Sequence, residues 1–124
     1  MKLTEAQKLE YIKAFTDIMT NFKGHPKYPK VLIEMLSVHS GKSNDYATDQ
    51  DPFSNVQLCE RANFPAWKGI IIRLGDKYSR LLNALGDKLF KYEGIRDAFM
   101  DTACYSVMGI IEYERDYEKQ KKNT

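Results

Sequence analysis

Apolar residues recur along this chain at helical steps, not at the alternation of a strand. The clearest stretch is 64–85, FPAWKGIIIRLGDKYSRLLNAL. There Trp67, Ile70, Ile71, Leu74, Tyr78, Leu81, Leu82 and Leu85 follow one another at helical spacing and share one face. Gly69, Arg73, Asp76, Lys77 and Arg80 fall on the other side. Pro65 suits a first helical turn, where its missing N–H has no partner to lose. The pattern predicts a central helix with a core-building side and a charged side.

The rest of the chain reads the same way. Residues 4–22 predict a first helix, with Thr4 and Gln7 spaced as a capping box and Leu9, Ile12, Phe15, Met19 and Phe22 as its stripe. Lys23-Gly24-His25-Pro26 stops it. A second helix runs from Pro29 to about Ser40, burying Val31, Leu32, Met35 and Leu36. Residues 40–52, SGKSNDYATDQDP, are rich in turn formers and predict the main loop. Asp51-Pro52 reads as a cap and first residue of a short helix over 52–62, with Phe53, Val56, Leu58 and Cys59 inward. Gly86 closes the central helix, and 86–94 connect to a last helix from about Ile95 to Tyr117. Its expected core side is Phe99, Met100, Ala103, Val107, Ile110 and Ile111, and the charged tail after Glu112 is expected to fray. The expected class is all-α: an antiparallel bundle of four main helices plus one short helix, as a single domain over 1–124.

Composition narrows the class. A chain of 124 residues, 43% hydrophobic and 29% charged, fits one soluble globular domain. No apolar run reaches the ~18 residues of a membrane span, and the charged N-terminus does not read as a secretory signal. Cys59 and Cys104 are too few and too far apart for a disulfide framework or a thiolate metal site, so they read as buried thiols of a cytoplasmic protein. A net charge of +2 is too small to argue for a nucleic-acid polymer as partner.

Three groups of residues carry candidate chemistry. The loop gathers Lys42, Asp45, Tyr46, Asp49 and Asp51, groups that bind ions or phosphates. Gly41-Lys42-Ser43 is not a P-loop, because Leu36 stands where that motif needs its first Gly and the preceding segment is helical. Arg73, Lys77 and Arg80 form one basic stripe, and guanidinium groups hold phosphate through paired hydrogen bonds. Asp97 and Asp101 lie one turn apart, a spacing that repels unless a cation sits between them, and Asp76 supplies a third oxygen ligand if that cation is Mg²⁺. His25 and His39 are isolated. No spacing suggests Ser-His-Asp or Cys-His chemistry, so no catalytic residue is assigned.

Taken together, Lys42-x-x-Asp45-Tyr46-Ala47, Asp51-Pro52-Phe53-Ser54-Asn55, Ala66-Trp67, Arg73-x-x-Asp76-Lys77-x-x-Arg80 and Asp97-x-x-x-Asp101 with Tyr105 resemble the nucleotide-modification-associated domain family of phages and bacteria. That family is similar in turn, more distantly, to the MazG-type all-α nucleotide pyrophosphohydrolases. The resemblance covers 42–105. It implies a helical bundle, a homo-oligomer and a role in nucleotide handling. The expected ligand-binding positions are Lys42, Asp45, Tyr46, Asn55, Arg73, Lys77 and Arg80, with the basic stripe and Lys42 on phosphates and Tyr46 or Trp67 stacking on a base, though Trp67 reads first as core. The chain departs from the MazG type at the metal site. Arg73-x-x-Asp76 stands where a Glu-x-x-Glu pair is expected, and Asp97-x-x-x-Asp101 where a Glu-x-x-Asp pair is expected. A guanidinium in place of a carboxylate removes a metal ligand and adds a phosphate clamp.

Three expectations follow, the last being a purely structural or interaction protein whose polar stripe is cross-linked internally by Arg–Asp pairs. In the first, a phage-type protein holds a phosphate-bearing nucleotide, including a host immune signal, without cleaving it and without a cofactor. In the second, an Mg²⁺-dependent nucleoside triphosphate pyrophosphohydrolase uses Asp76, Asp97 and Asp101 as metal ligands.

Overall fold

A computed structural model describes residues 1–46, 53, 55–86 and 92–123, including side chains except at 42–46, 92 and 93. Among the described residues the chain is all-α, with helices α1 (Glu5–Thr20), α2 (Tyr28–Tyr46), α3 (Ala66–Gly86) and α4 (Tyr92–Lys122), and a short 3-10 helix at Leu58–Ala62. None of these helices is long and apolar enough to cross a membrane. The chain divides into two units, Met1–Pro52 and Phe53–Thr124.

In the first unit, α1 begins as its sequence predicts. The Gln7 N–H donates to Thr4 Oγ1 at 3.1 Å, and the Thr4 N–H donates to Gln7 Oε1 at 3.0 Å, so two of the four N–H groups an α-helix start leaves open are satisfied locally. The stripe expected to be core is not. No residue of α1 is buried, and Leu9, Ile12 and Phe15 are exposed. His25 has a local role ahead of α2: its Nδ1 accepts from the Lys27 N–H at 3.1 Å, and its carbonyl accepts from the Tyr28 N–H at 3.0 Å.

The helix α2 runs past its expected end at Ser40 to Tyr46, so 41–46 are helix instead of loop. Single Gly, Ser and Asn residues cost a helix under about 1 kcal/mol each and do not stop it without a cap or a proline behind them. Residues 47–52, with the cap expected at Asp51-Pro52, lie outside the described residues, as do 87–91.

The second unit holds the buried side chains. Of the helix expected over 52–62, Leu58–Ala62 forms a 3-10 helix that ends where expected, while Phe53 and residues 55–57 are in turns. Asn63 takes φ 59°, ψ 30°, and its N–H bonds back to the Cys59 and Glu60 carbonyls. Asparagine is one of the few residues that enter this left-handed region at low cost. Phe53 and Val56 tuck in ahead of the turn. Gly69 lets it lie close to α3: a Cβ there would stand 3.1 Å from Cys59 Sγ, tighter than ordinary contact.

The antiparallel partners α3 and α4 pack on each other, with Ile70 at 1% exposure the largest apolar side chain fully buried. Its Cγ2 faces Gly109 of α4. The helix α3 starts at Ala66 and not Phe64, since the Pro65 carbonyl already accepts the first bonds, from the Lys68 and Gly69 N–H groups. On α4 the expected core side holds only in part, at the half-buried Met100 and Ala103. Phe99, Val107, Ile110 and Ile111 are exposed, while Ala98 and Glu112 are buried. Similarly on α3, Ile71, Tyr78, Leu82 and Leu85 are exposed. A helix packed against one neighbour buries only a narrow line of positions, not the full apolar arc. Nor does α4 stop at Tyr117. It continues to Lys122, with Lys119, Lys121 and Lys122 in the last turn, where cations suit the helix dipole.

Two substitutions test these assignments. Ile70→Ala should lower stability by about 2–5 kcal/mol in chemical denaturation. Asn63→Gly should be close to neutral, whereas Asn63→Val, with a β-branched side chain at positive φ, should cost about 1–2 kcal/mol. Equal effects of the last two would refute the left-handed stop.

Candidate functional site

The two helices of the second unit meet along one seam with an edge on either side. Helical spacing puts Arg73, Lys77 and Arg80 along one edge of α3. The facing edge of α4 carries Asp101 and Tyr105. Lys77 Nζ lies 3.1 Å from Asp101 Oδ2, with both side chains about a quarter exposed (23% and 24%). One turn away, Arg73 Nη1 donates to Tyr105 Oη at 3.2 Å, and its guanidinium carbon stands 5.9 Å from the centre of the Tyr105 ring. Arg80, a turn further, is exposed and has no ion-pair or hydrogen-bond partner among the described residues.

The ion pair is worth little to folding, about 0.2–1 kcal/mol at this exposure. Its effect is to order. An arginine set beside a ring and hydrogen-bonded to its hydroxyl has lost part of its rotamer freedom before any anion arrives. Such an edge presents guanidinium N–H groups to an anion near the seam. The Asp101 carboxylate tempers that attraction by occupying Lys77.

The other candidate residues fall as follows. Asp76 and Asp97 are exposed. Among the described residues, no three His, Cys, Asp or Glu side chains are close enough to share a metal ion, so Asp76, Asp97 and Asp101 are not gathered into a ligand set. Asn55 is half-buried in the turn before the 3-10 helix. Lys42, Asp45 and Tyr46 belong to the last turn of α2, and their side chains lie outside the described residues. Trp67 is packed and not open for stacking: its Nε1–H donates to Asp116 Oδ2 at 2.9 Å, and its ring meets Tyr113 edge-on at 5.3 Å. Cys59 and Cys104 form no disulfide, and both are half-buried.

A second polar cluster went unforeseen. Glu112, at 1% exposure, accepts from Gln57 Nε2 at 2.7 Å and from Arg115 Nε at 2.7 Å. Arg115 also reaches Glu60 Oε2 at 2.6 Å. These bonds tie the 3-10 segment to α4. Burial works against the Arg115 charge, but its hydrogen bonds to Glu112 and Glu60 and their charges outweigh it, holding the guanidinium above its ordinary value. A cation raised in this way adds stability at every pH below its unfolded value, and loses it only as pH climbs through the raised one. The clue was in the sequence. Ala98, Tyr105, Gly109, Glu112 and Asp116 follow one another at helical spacing, a line that puts a carboxylate in the seam.

No family model, curated protein or solved structure gives a significant match to this chain.

Removing the buried carboxylate should be costly. Glu112→Ala strands Gln57 and half of the Arg115 pairing, and should lower stability by about 3 kcal/mol in denaturant titration. Asp116→Ala should leave the fold intact but redden the emission of Trp67, the sole tryptophan, because its N–H then turns to water.

Proposed function

We propose that the protein binds a phosphate-bearing nucleotide on the polar edge of the α3–α4 pair, without cleaving it. The observation that carries the reading is the line Arg73, Lys77, Arg80, with Arg73 braced against Tyr105 and Arg80 exposed one turn beyond Lys77. Two guanidinium groups flanking an ammonium suit the spread negative charge of a phosphate, which accepts paired N–H bonds. The nucleotide-handling resemblance of these same residues supports the assignment. In a phage setting such a protein would act inside the host cytoplasm as a homo-oligomer that sequesters a nucleotide, including an immune signal, by mass action alone.

Calorimetry with a panel of nucleoside mono-, di- and triphosphates and cyclic dinucleotides tests this. At least one should bind, Arg73→Ala should weaken it by about tenfold or more, equivalent to ~1.4 kcal/mol, and Lys8→Ala, on exposed α1, should leave it unchanged. The nucleotide should be recovered intact after heat denaturation. Asp101→Asn separates the two chemistries. It frees Lys77 and should preserve or tighten binding, whereas a metal-dependent hydrolase would lose pyrophosphate release on the same change. Absence of binding across the panel would end the proposal.

A further inference from the structure

We infer that the ligand of the basic edge carries two phosphate groups held apart by a sugar, as in a nucleoside 3′,5′-bisphosphate, and not the contiguous phosphates of a di- or triphosphate. This ligand class rests on the nucleotide-binding reading of the same edge and narrows it. The reason is the order of charges along α3. Arg73 and Arg80 are seven residues apart, so their backbones are offset by about 10 Å along the helix axis. Helical side chains all lean toward the N-terminus, so the offset carries over to the two guanidinium groups. Arg73 is also held in place, because its Nη1 donates to Tyr105 Oη at 3.2 Å. Moving it toward Arg80 costs that hydrogen bond.

Between the two arginines stands Lys77, with Asp101 Oδ2 at 3.1 Å offsetting its charge. Both partners are only about a quarter exposed (23% and 24%), so water screens this pair less than it screens the exposed arginines. The edge therefore runs positive, neutral, positive. Adjacent phosphates laid along it would set one of their number beside the Asp101 carboxylate, where like charges repel. Lys77 could turn to that phosphate only by leaving Asp101. Two phosphates separated by a ribose avoid the conflict. Each meets one guanidinium, which grips a phosphate through paired N–H bonds. The uncharged sugar spans the neutral middle, and its hydroxyls are donors of the kind a carboxylate accepts. Asp76 and Asp97, both exposed, make no ion pair with Arg80, so its guanidinium is left to a ligand. Asp76 lies further round α3 from the seam than the arginines, so its repulsion falls on both ligand classes alike.

Calorimetry at mildly alkaline pH and low salt, without divalent cations, tests this. It compares the 3′,5′-bisphosphate of each common nucleoside with the 5′-triphosphate of the same nucleoside. The two carry about the same net charge, so a difference in affinity reports the spacing of that charge. For the base that binds best, the bisphosphate should bind about tenfold tighter or more. Arg80→Ala should remove most of that preference, because one guanidinium then remains for either ligand. Asp101→Asn should narrow it too, by making the middle of the edge positive. A triphosphate that binds as tightly as its matched bisphosphate, a preference that survives Arg80→Ala, or binding confined to nucleotides with a single phosphate overturns this ligand class and leaves the nucleotide-binding reading standing. If no nucleotide binds, both fall together.

Discussion

A carboxylate at 1% exposure persists only if its oxygens are paired, and Glu112 pairs its own with Gln57 and Arg115. The Gln57 bond, with the Arg115–Glu60 pair beside it, ties α4 to the 3-10 segment and so sets the rotation of α4 about its axis. Turning α4 to bury Phe99, Ile110 and Ile111 instead would carry Glu112 out of the seam and break its bond to the 3-10 segment. The Trp67–Asp116 bond, one turn further along α4, fixes the same rotation from the α3 side. Once α4 is held this way, Ile70 has Gly109 before it, and the remaining positions on both helices are assigned to one flank or the other.

That constraint explains what could be read from the sequence and what could not. Helical period, the Thr4–Gln7 cap and the all-α class were legible because they are local: three- and four-residue steps and one capping pair decide them. The buried side of each helix is a tertiary choice. Both helices have apolar arcs wider than one seam, so counting apolar residues picks the middle of the arc. Packing on a single neighbour picks the line through Ala98, Gly109 and Glu112. The charged residue on that line is what a hydrophobicity count discards. Helix ends failed for a related reason. The 41–46 segment has turn-forming composition but no residue that forbids a helix, whereas Asn63 supplied a real stop through its left-handed backbone.

The candidate site was half legible. Spacing alone put Arg73, Lys77 and Arg80 on one edge, and α3 keeps them there. Which groups they would meet needed the partner helix. Of the three aspartates proposed to hold a metal, Asp101 is engaged by Lys77, and Asp76 and Asp97 are exposed. An ammonium 3.1 Å from a carboxylate offsets the charge of both groups, so Asp101 offers less to a divalent cation and Lys77 less to an anion. Tyr105 matters more than its spacing suggested, since its ring and hydroxyl both brace Arg73.

The two flanks of the helix pair differ in how they can lower their free energy. The basic flank is already hydrated, and it gains only from an anion that matches its guanidinium geometry, with a coupling that salt screens over about 10 Å. The apolar flank gains from any cover that removes it from water, at about 25 cal/mol per Å² of apolar area. A helix pair with a single seam buries a narrow line against a backbone cost on the order of 1 kcal/mol per residue, so cover on the apolar flank would add to its stability. The basic edge shares that seam through Lys77–Asp101 and Arg73–Tyr105, so burial on one flank would rigidify the anion-facing groups on the other.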